Sequence, residues 1–131
     1  MEIVIAGATR TAIGTFNGTL QSVSAADLGA HVIKSVLEQT GVAANDVDEV
    51  VMGQIMTGAC GMNPARQAAM GADIPKEKTA LTINQVCGSG LRSIAMGMQS
   101  IMTGDTSIVV AGGQENMSAS PHAMHMRNGQ K

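Results

Sequence analysis

The stretch NQVCGSGLR at residues 84–92 sets a thiol, Cys87, between a run of strand-forming residues and a Gly-Ser-Gly that opens a helical pattern. A sulfur in that position has three chemical uses: packing as a small hydrophobe, pairing in a redox couple, or acting as a nucleophile. The order of the residues favours the third. Strand, Cys and helix start together put a sulfur at the positive end of a helix dipole, a setting in which thiolate is favoured over thiol. Gly88 and Gly90 carry no side chains, so an acyl group could approach the sulfur and the backbone N–H groups around it.

The other chemistry-bearing residues are less well placed. Cys60, in Gly58-Ala59-Cys60-Gly61, has neither a strand before it nor a helix start directly after it, and is read as incidental. The run Gly88-Ser89-Gly90-Leu91-Arg92-Ser93 partly imitates the dinucleotide fingerprint Gly-x-Gly-x-x-Gly. It fails at Ser93, where the third Gly is needed for close helix packing, and it lies late in the chain. His31 falls in a helical pattern, and His122 and His125 lie in a polar arm with no Cys or carboxylate at ligand spacing, so no metal site is expected. No His is placed by sequence as an obvious base for Cys87.

Composition narrows the class. A chain of 131 residues with 44% hydrophobic content can build one compact core. A net charge of -2 without a basic run, and Phe16 as the single aromatic residue, remove the footprint of a nucleic-acid binder. No apolar stretch approaches the roughly 18 to 20 residues that a membrane span needs. The opening Met1-Glu2-Ile3-Val4-Ile5 has no basic leader, so a cytoplasmic location with reduced cysteines and no membrane partner is the expectation. The 11 methionines are read as gap-fillers in a core that lacks aromatic bulk.

The elements that must hold Cys87 follow from periodicity. Strands are expected at residues 3–6, 47–55, 79–86 and 108–111, the last stopped by Gly112-Gly113. Helices are expected from the capping sequence at Ser24 to Thr40-Gly41, from Asn63-Pro64 to near Gly71, and along Leu91, Ile94, Ala95, Met98, Ile101 and Met102 to Gly104. Alternating strands and helices give an α/β fold, a layered mixed or parallel sheet with helices on its faces. Three helices for four strands leave one side of that sheet dependent on residues or chains outside this sequence. The pattern stops after Asn116.

Five separated segments then carry a family resemblance: RTAIGTF at residues 10–16, DEVVMGQ at 48–54, NPARQAA at 63–69, VCGSGL at 86–91 and VAGGQENMS at 110–118. Together, and in this order, they resemble the N-terminal part of a thiolase. The resemblance implies the N-terminal half of a thiolase fold, with residues 1–117 as the nucleophile-bearing α/β domain and residues 118–131 as the incomplete start of a loop insertion, in a region the family uses for tetramer contacts. It implies an acetyl-CoA C-acetyltransferase activity, the reversible condensation of two acetyl-CoA to acetoacetyl-CoA, with Cys87 as the catalytic nucleophile that carries the acetyl group. The Cys87 N–H resembles the family's oxyanion donor. It also implies acyl-CoA substrates, no cofactor beyond them and a homo-oligomer, dimer or tetramer; the residues that bind CoA stay unassigned. A 3-ketoacyl-CoA thiolase of β-oxidation, and a non-catalytic assembly module, are the alternatives. The family takes its base from a Gly-His-Pro segment and a second cysteine from a Cys-Gly-Gly segment, neither of which occurs here, so the chain is expected to be a fragment that is inactive alone. Gln85, Met62 and Gln114 depart from the Lys, Gln and Met usual in relatives.

Overall fold

The computed structural model describes residues 2–124 and 126; His125 and residues 127–131, part of the polar arm expected from the sequence, lie outside the described residues. Three strands, β1 (Glu49–Gly53), β2 (Thr79–Ile83) and β3 (Val109–Gly113), form a wholly parallel sheet in the order β2-β1-β3. The register places Val51 between Leu81 and Ala111. Three helices, α1 (Ala25–Thr40), α2 (Pro64–Gly71) and α3 (Ser89–Thr103), complete the layers. None is long and apolar enough to cross a membrane.

Local chemistry sets the helix limits. Ser24 Oγ accepts the Asp27 amide at 3.0 Å and donates to the Asp27 carboxylate at 2.7 Å, so one side chain starts α1. Gly41, at φ 69°, ends it in a left-handed turn. Asn63 starts α2 with its own left-handed backbone (φ 49°); its Oδ1 accepts from the Arg66 amide and from the Thr82 hydroxyl, while Nδ2 donates to the Ala80 carbonyl. The cap that the sequence shows is therefore also a clasp between α2 and β2.

Strand alternation divides the packing. Val50 and Met52 point to one face and are buried with Ala65, Ala68 and Ala69 of α2 and Ile33 and Leu37 of α1. Each large side chain fully buried there contributes about 1.5–3 kcal/mol. The alanines keep α2 close to the sheet. The other face receives α3, which packs on β1 and β3. There, Ser93, wholly buried, donates to Gly112 O at 2.8 Å, and Gly97 lies against Val109 and Ala111.

Two sequence expectations are corrected. Residues 3–6 form no strand: Val4 and Ile5 are exposed, and none of the three strands pairs with them. An apolar run becomes a strand only when a neighbour completes its hydrogen bonds, and here the segment passes along α1, with Gly7 against Val36 and Thr40. The glycines expected to stop the last strand instead belong to β3. Gly113 lies beside the start of α3, where an added Cβ would stand in ordinary contact with Gly90 Cα at 3.4 Å. The side of the sheet expected to lack cover is β2's α3 face: Leu81 is exposed there, as are Leu91, Ile94, Met98 and Met102 on α3.

Asp48, just before β1, ties the strand starts together. Its carboxylate accepts the Ser107 and Ile108 amides at 2.8 and 3.1 Å and pairs with Lys78 at 3.5 Å. Those two amide hydrogen bonds, helped by the Lys78 ammonium, hold its carboxyl below its ordinary pKa. A lowered folded pKa adds stability that is complete above the unfolded value and is lost as pH falls through the folded one. Asp48→Asn is therefore expected to lower the urea midpoint at pH 7, with the gap from wild type closing as pH drops below about 4. Urea titrations across pH 2–7 check this; a gap that persists unchanged at the acid end contradicts it.

Candidate active site

The C-terminal ends of all three strands open on one edge of the sheet. β2 and β3 lie on opposite sides of β1, so the chain leaves β1 and β2 toward opposite faces, and a crevice opens where it does so. That crevice is a shallow depression of about 310 Å³, bordered by Gly53, Gln54 and Ile55 after β1, Val86 and Cys87 after β2, and Glu115 after β3.

Cys87 is exposed at this edge. The turn that holds it is unusual at its first residue. Val86 has φ 51°, a left-handed conformation that a β-branched side chain disfavours. Asn84 Oδ1 accepts the Val86 amide at 2.9 Å, and the Gly88 and Ser89 amides return to the Gln85 and Val86 carbonyls at 3.1 Å each. Helix α3 begins at once, with Arg92 N donating to Gly88 O at 2.8 Å. Gly88 supplies no side-chain cap, so no hydroxyl or carboxylate from the cap position occupies the helix start beside the sulfur. The strand expected to reach residue 86 ends at Ile83, because the reversal at Val86 cannot continue a sheet ladder.

The floor is a close backbone contact. A Cβ on Gly53 would stand 2.5 Å from Ser89 Cβ, 2.6 Å from Ser89 C and 2.8 Å from Gly90 N. Only glycine at the end of β1 lets the first turn of α3 come this near.

Side chains then fix the loops around the thiol. Glu115 accepts the Ile55 and Met56 amides at 2.7 and 3.2 Å, joining the loop after β1 to the end of β3. Asn84 Nδ2 donates to Ile55 O at 3.3 Å, so one amide grips both the cysteine turn and the β1 loop. Below them, Gln114 Nε2 donates to Gln54 Oε1 at 2.9 Å and to Pro64 O at 3.2 Å, and Gln54 Nε2 continues to Met56 O at 2.8 Å. Gln114 Oε1 is buried without a partner among the described residues.

Sequence reasoning singled out Cys87 and missed Asn84, Ser89 and Glu115. A carboxylate directly after Gly112-Gly113-Gln114 at a strand end was the available signal for Glu115. Cys60 is half-buried: its thiol lies 3.4 Å from Met56 O and 3.5 Å from Gly58 O, and Gln54 Nε2 reaches the sulfur at 3.5 Å. It serves the loop beneath the crevice. His31 and His122 are exposed, and among the described residues no group of three or more His, Cys, Asp or Glu is placed to hold a metal. Ser93, the mismatch in the dinucleotide pattern, spends its hydroxyl on Gly90 O and Gly112 O, binding helix to strand.

A parallel α/β sheet with an exposed thiol at its switch point, in the turn just before a helix, defines a class of fold and site. Comparison with known proteins narrows it. The thiolase N-terminal domain family matches residues 3–131, and the chain belongs to the thiolase family. It is 57% identical over 130 residues to the acetyl-CoA acetyltransferase of Rhizobium meliloti (strain 1021), covering 99% of this chain and 33% of that protein. It is 50% identical over 129 residues to the cytosolic acetyl-CoA acetyltransferase of Rattus norvegicus, covering 98% of this chain and 32% of the relative. The crystal structure of the Bacillus anthracis acetyl-CoA acetyltransferase superposes with a TM-score of 0.92 at 37% identity, over 98% of this chain and 32% of that one. The chain thus spans about a third of the length of the relatives it matches.

Proposed function

We propose that Cys87 is the acyl-accepting nucleophile of an acetyl-CoA acetyltransferase, and that these residues form the nucleophile-bearing part of a longer enzyme. The observation that carries the reading is the exposed Cys87 thiol in the turn directly before α3, bordering a crevice at the switch point of a thiolase-family sheet. In this reading the Cys87 thiolate attacks the carbonyl carbon of acetyl-CoA, the oxyanion forms against the Cys87 backbone N–H, and CoA leaves as its thiolate. The acetyl group then rests on sulfur. A second acetyl-CoA loses an α-proton and its carbon attacks the acyl carbon; the Cys87 thiolate leaves and acetoacetyl-CoA is released.

Sulfur suits both halves, since exchanging one thioester for another keeps the acyl group activated for carbon–carbon bond formation. The α-proton needs a base, and neither described histidine lies in the crevice lining. We assign that base, and the second cysteine of the family, to residues beyond this sequence, with residues 118–131 as the beginning of the loop insertion. Cys87 acts directly on CoA thioesters, without metal or nucleotide cofactor, and the complete enzyme is a homo-oligomer.

Protection against alkylation tests the assignment. Prior incubation with acetyl-CoA is expected to slow iodoacetamide labelling of Cys87 while leaving Cys60 unchanged, as read by peptide mapping. Equal effects on both cysteines, or none on Cys87, would sink it. The rates of acetoacetyl-CoA and long-chain 3-ketoacyl-CoA thiolysis by the complete enzyme separate this activity from a β-oxidation thiolase.

A further inference from the structure

The nucleophile turn contains a strained residue and, directly over it, a buried hydroxyl with no role in the chemistry above. Ser89 is only 4% exposed. Its Oγ accepts the Gln85 amide at 2.8 Å and donates to the Val86 carbonyl at 2.6 Å, so a single hydroxyl bonds both peptide groups that flank residue 86's predecessor and residue 86 itself. Asn84 holds the Val86 amide from the other side. Between these bonds sits Val86 at φ 51°, where a branched Cβ crowds the backbone and extended or right-handed conformations are favoured. Strain of this kind persists only where neighbouring groups over-determine the conformation.

We propose that Ser89 is a positioning residue for Cys87: its hydroxyl clamps Val86 in the left-handed conformation, and that conformation fixes the direction in which the next residue presents its thiol and N–H to the crevice. The inference rests on the reading of Cys87 as the reacting sulfur. Ser89 does not itself reach the acyl group; it acts through the peptide groups on either side of Gln85 and Val86. Its own backbone is pressed against Gly53 at the end of β1, so the clamp is anchored to the sheet rather than to a loop. A serine suits that place because its side chain is short enough to fit above the glycine while its oxygen can accept and donate at once.

The same geometry explains why the clamp acts through residue 86. Without the hydroxyl, the Gln85 amide loses its partner and the Val86 carbonyl keeps only the Ser89 amide, so valine can relieve its strain by rotating to negative φ. That rotation swings the peptide between Val86 and Cys87 and takes the thiol off the helix start. Glycine at position 86 has no such incentive, because φ near 51° is open to it without a steric cost.

The test is a double-variant cycle read by the rate of iodoacetamide alkylation at each cysteine, resolved by peptide mass spectrometry. Ser89→Ala, which removes both hydroxyl hydrogen bonds, is expected to slow Cys87 about tenfold and to leave Cys60 within about twofold. Val86→Gly sets the reference rate for the cycle, and Val86→Gly with Ser89→Ala should fall within about threefold of that reference, because the strain that the clamp opposes is gone. If Ser89→Ala does not fold, refolding of the double variant with a Cys87 rate near that reference is the expected rescue. An unchanged Cys87 rate in Ser89→Ala, or a double variant that is unfolded or as slow as Ser89→Ala, overturns the positioning role. In either of those cases protection of wild-type Cys87 by acetyl-CoA would still stand, so failure of the clamp is distinguishable from failure of the nucleophile assignment.

Discussion

Gly53→Ala is expected to destabilise the chain by about 3 kcal/mol or more, and to displace the thiol even where the protein still folds. The added methyl would meet Ser89 Cβ and C and Gly90 N within 2.8 Å, and two of those three are backbone atoms at the first turn of a helix. Flexible side chains could yield; a helix backbone held to β3 by the Ser93–Gly112 hydrogen bond cannot do so without moving α3. Gly90→Ala provides the contrast. Its Cβ would have nothing closer than Gly113 at 3.9 Å, an ordinary contact, and alanine favours a helix by up to about 1 kcal/mol. Urea midpoints of the two variants should therefore fall on opposite sides of a wide gap, Gly90→Ala close to wild type and Gly53→Ala far below it. Similar midpoints would mean that the close approach of α3 to β1 is not a constraint.

Replacing Cys87 by serine is the second large effect. The change is nearly isosteric, so the turn, the crevice and the urea midpoint should be kept. The chemistry should not. A hydroxyl is a far weaker nucleophile than a thiolate near neutral pH, and an oxygen ester is a less activated acyl donor than a thioester, so both halves of the reaction suffer. In the complete enzyme the condensation rate is expected to fall on the order of 10³-fold or more. Residual activity within about tenfold of wild type, with native folding, would remove Cys87 from the nucleophile's role.

What the sequence disclosed of this site, and what it hid, follow different physics. Helix limits were legible because they are local: Ser24, Asn63, Gly41 and Gly104 do their work within a turn of chain. The central strand was legible because Val50, Val51 and Met52 are buried on both faces of the sheet and read as one apolar run. Residues 3–6 carry the same apolar signature, but pairing is a property of neighbours rather than of composition, and no neighbour in the sheet takes them. The position of Cys87 at a helix start was visible in the order of residues. Its fixing was not. The strained backbone of Val86, the two-way bonding of Ser89 and the reach of Glu115 across to Ile55 depend on strand ends far apart in sequence meeting at one edge. Glycine shows the difference well: Gly88 and Gly90 drew notice beside the cysteine, whereas the strictest demand for a missing side chain falls on Gly53, 34 positions before Cys87 by subtraction of their numbers.

Direct capture of the acyl group tests the central claim. The complete enzyme is mixed with acetyl-CoA at mildly alkaline pH, quenched in acid, digested, and its peptides are mapped by mass with and without hydroxylamine, which cleaves thioesters and spares amides. The expected result is a hydroxylamine-labile acetyl group on the peptide that contains Cys87, in clear excess over any on Cys60. Acetyl that maps to Cys60 instead, to both cysteines alike, or only to hydroxylamine-stable sites on lysine would contradict the assignment of Cys87 as the acyl acceptor.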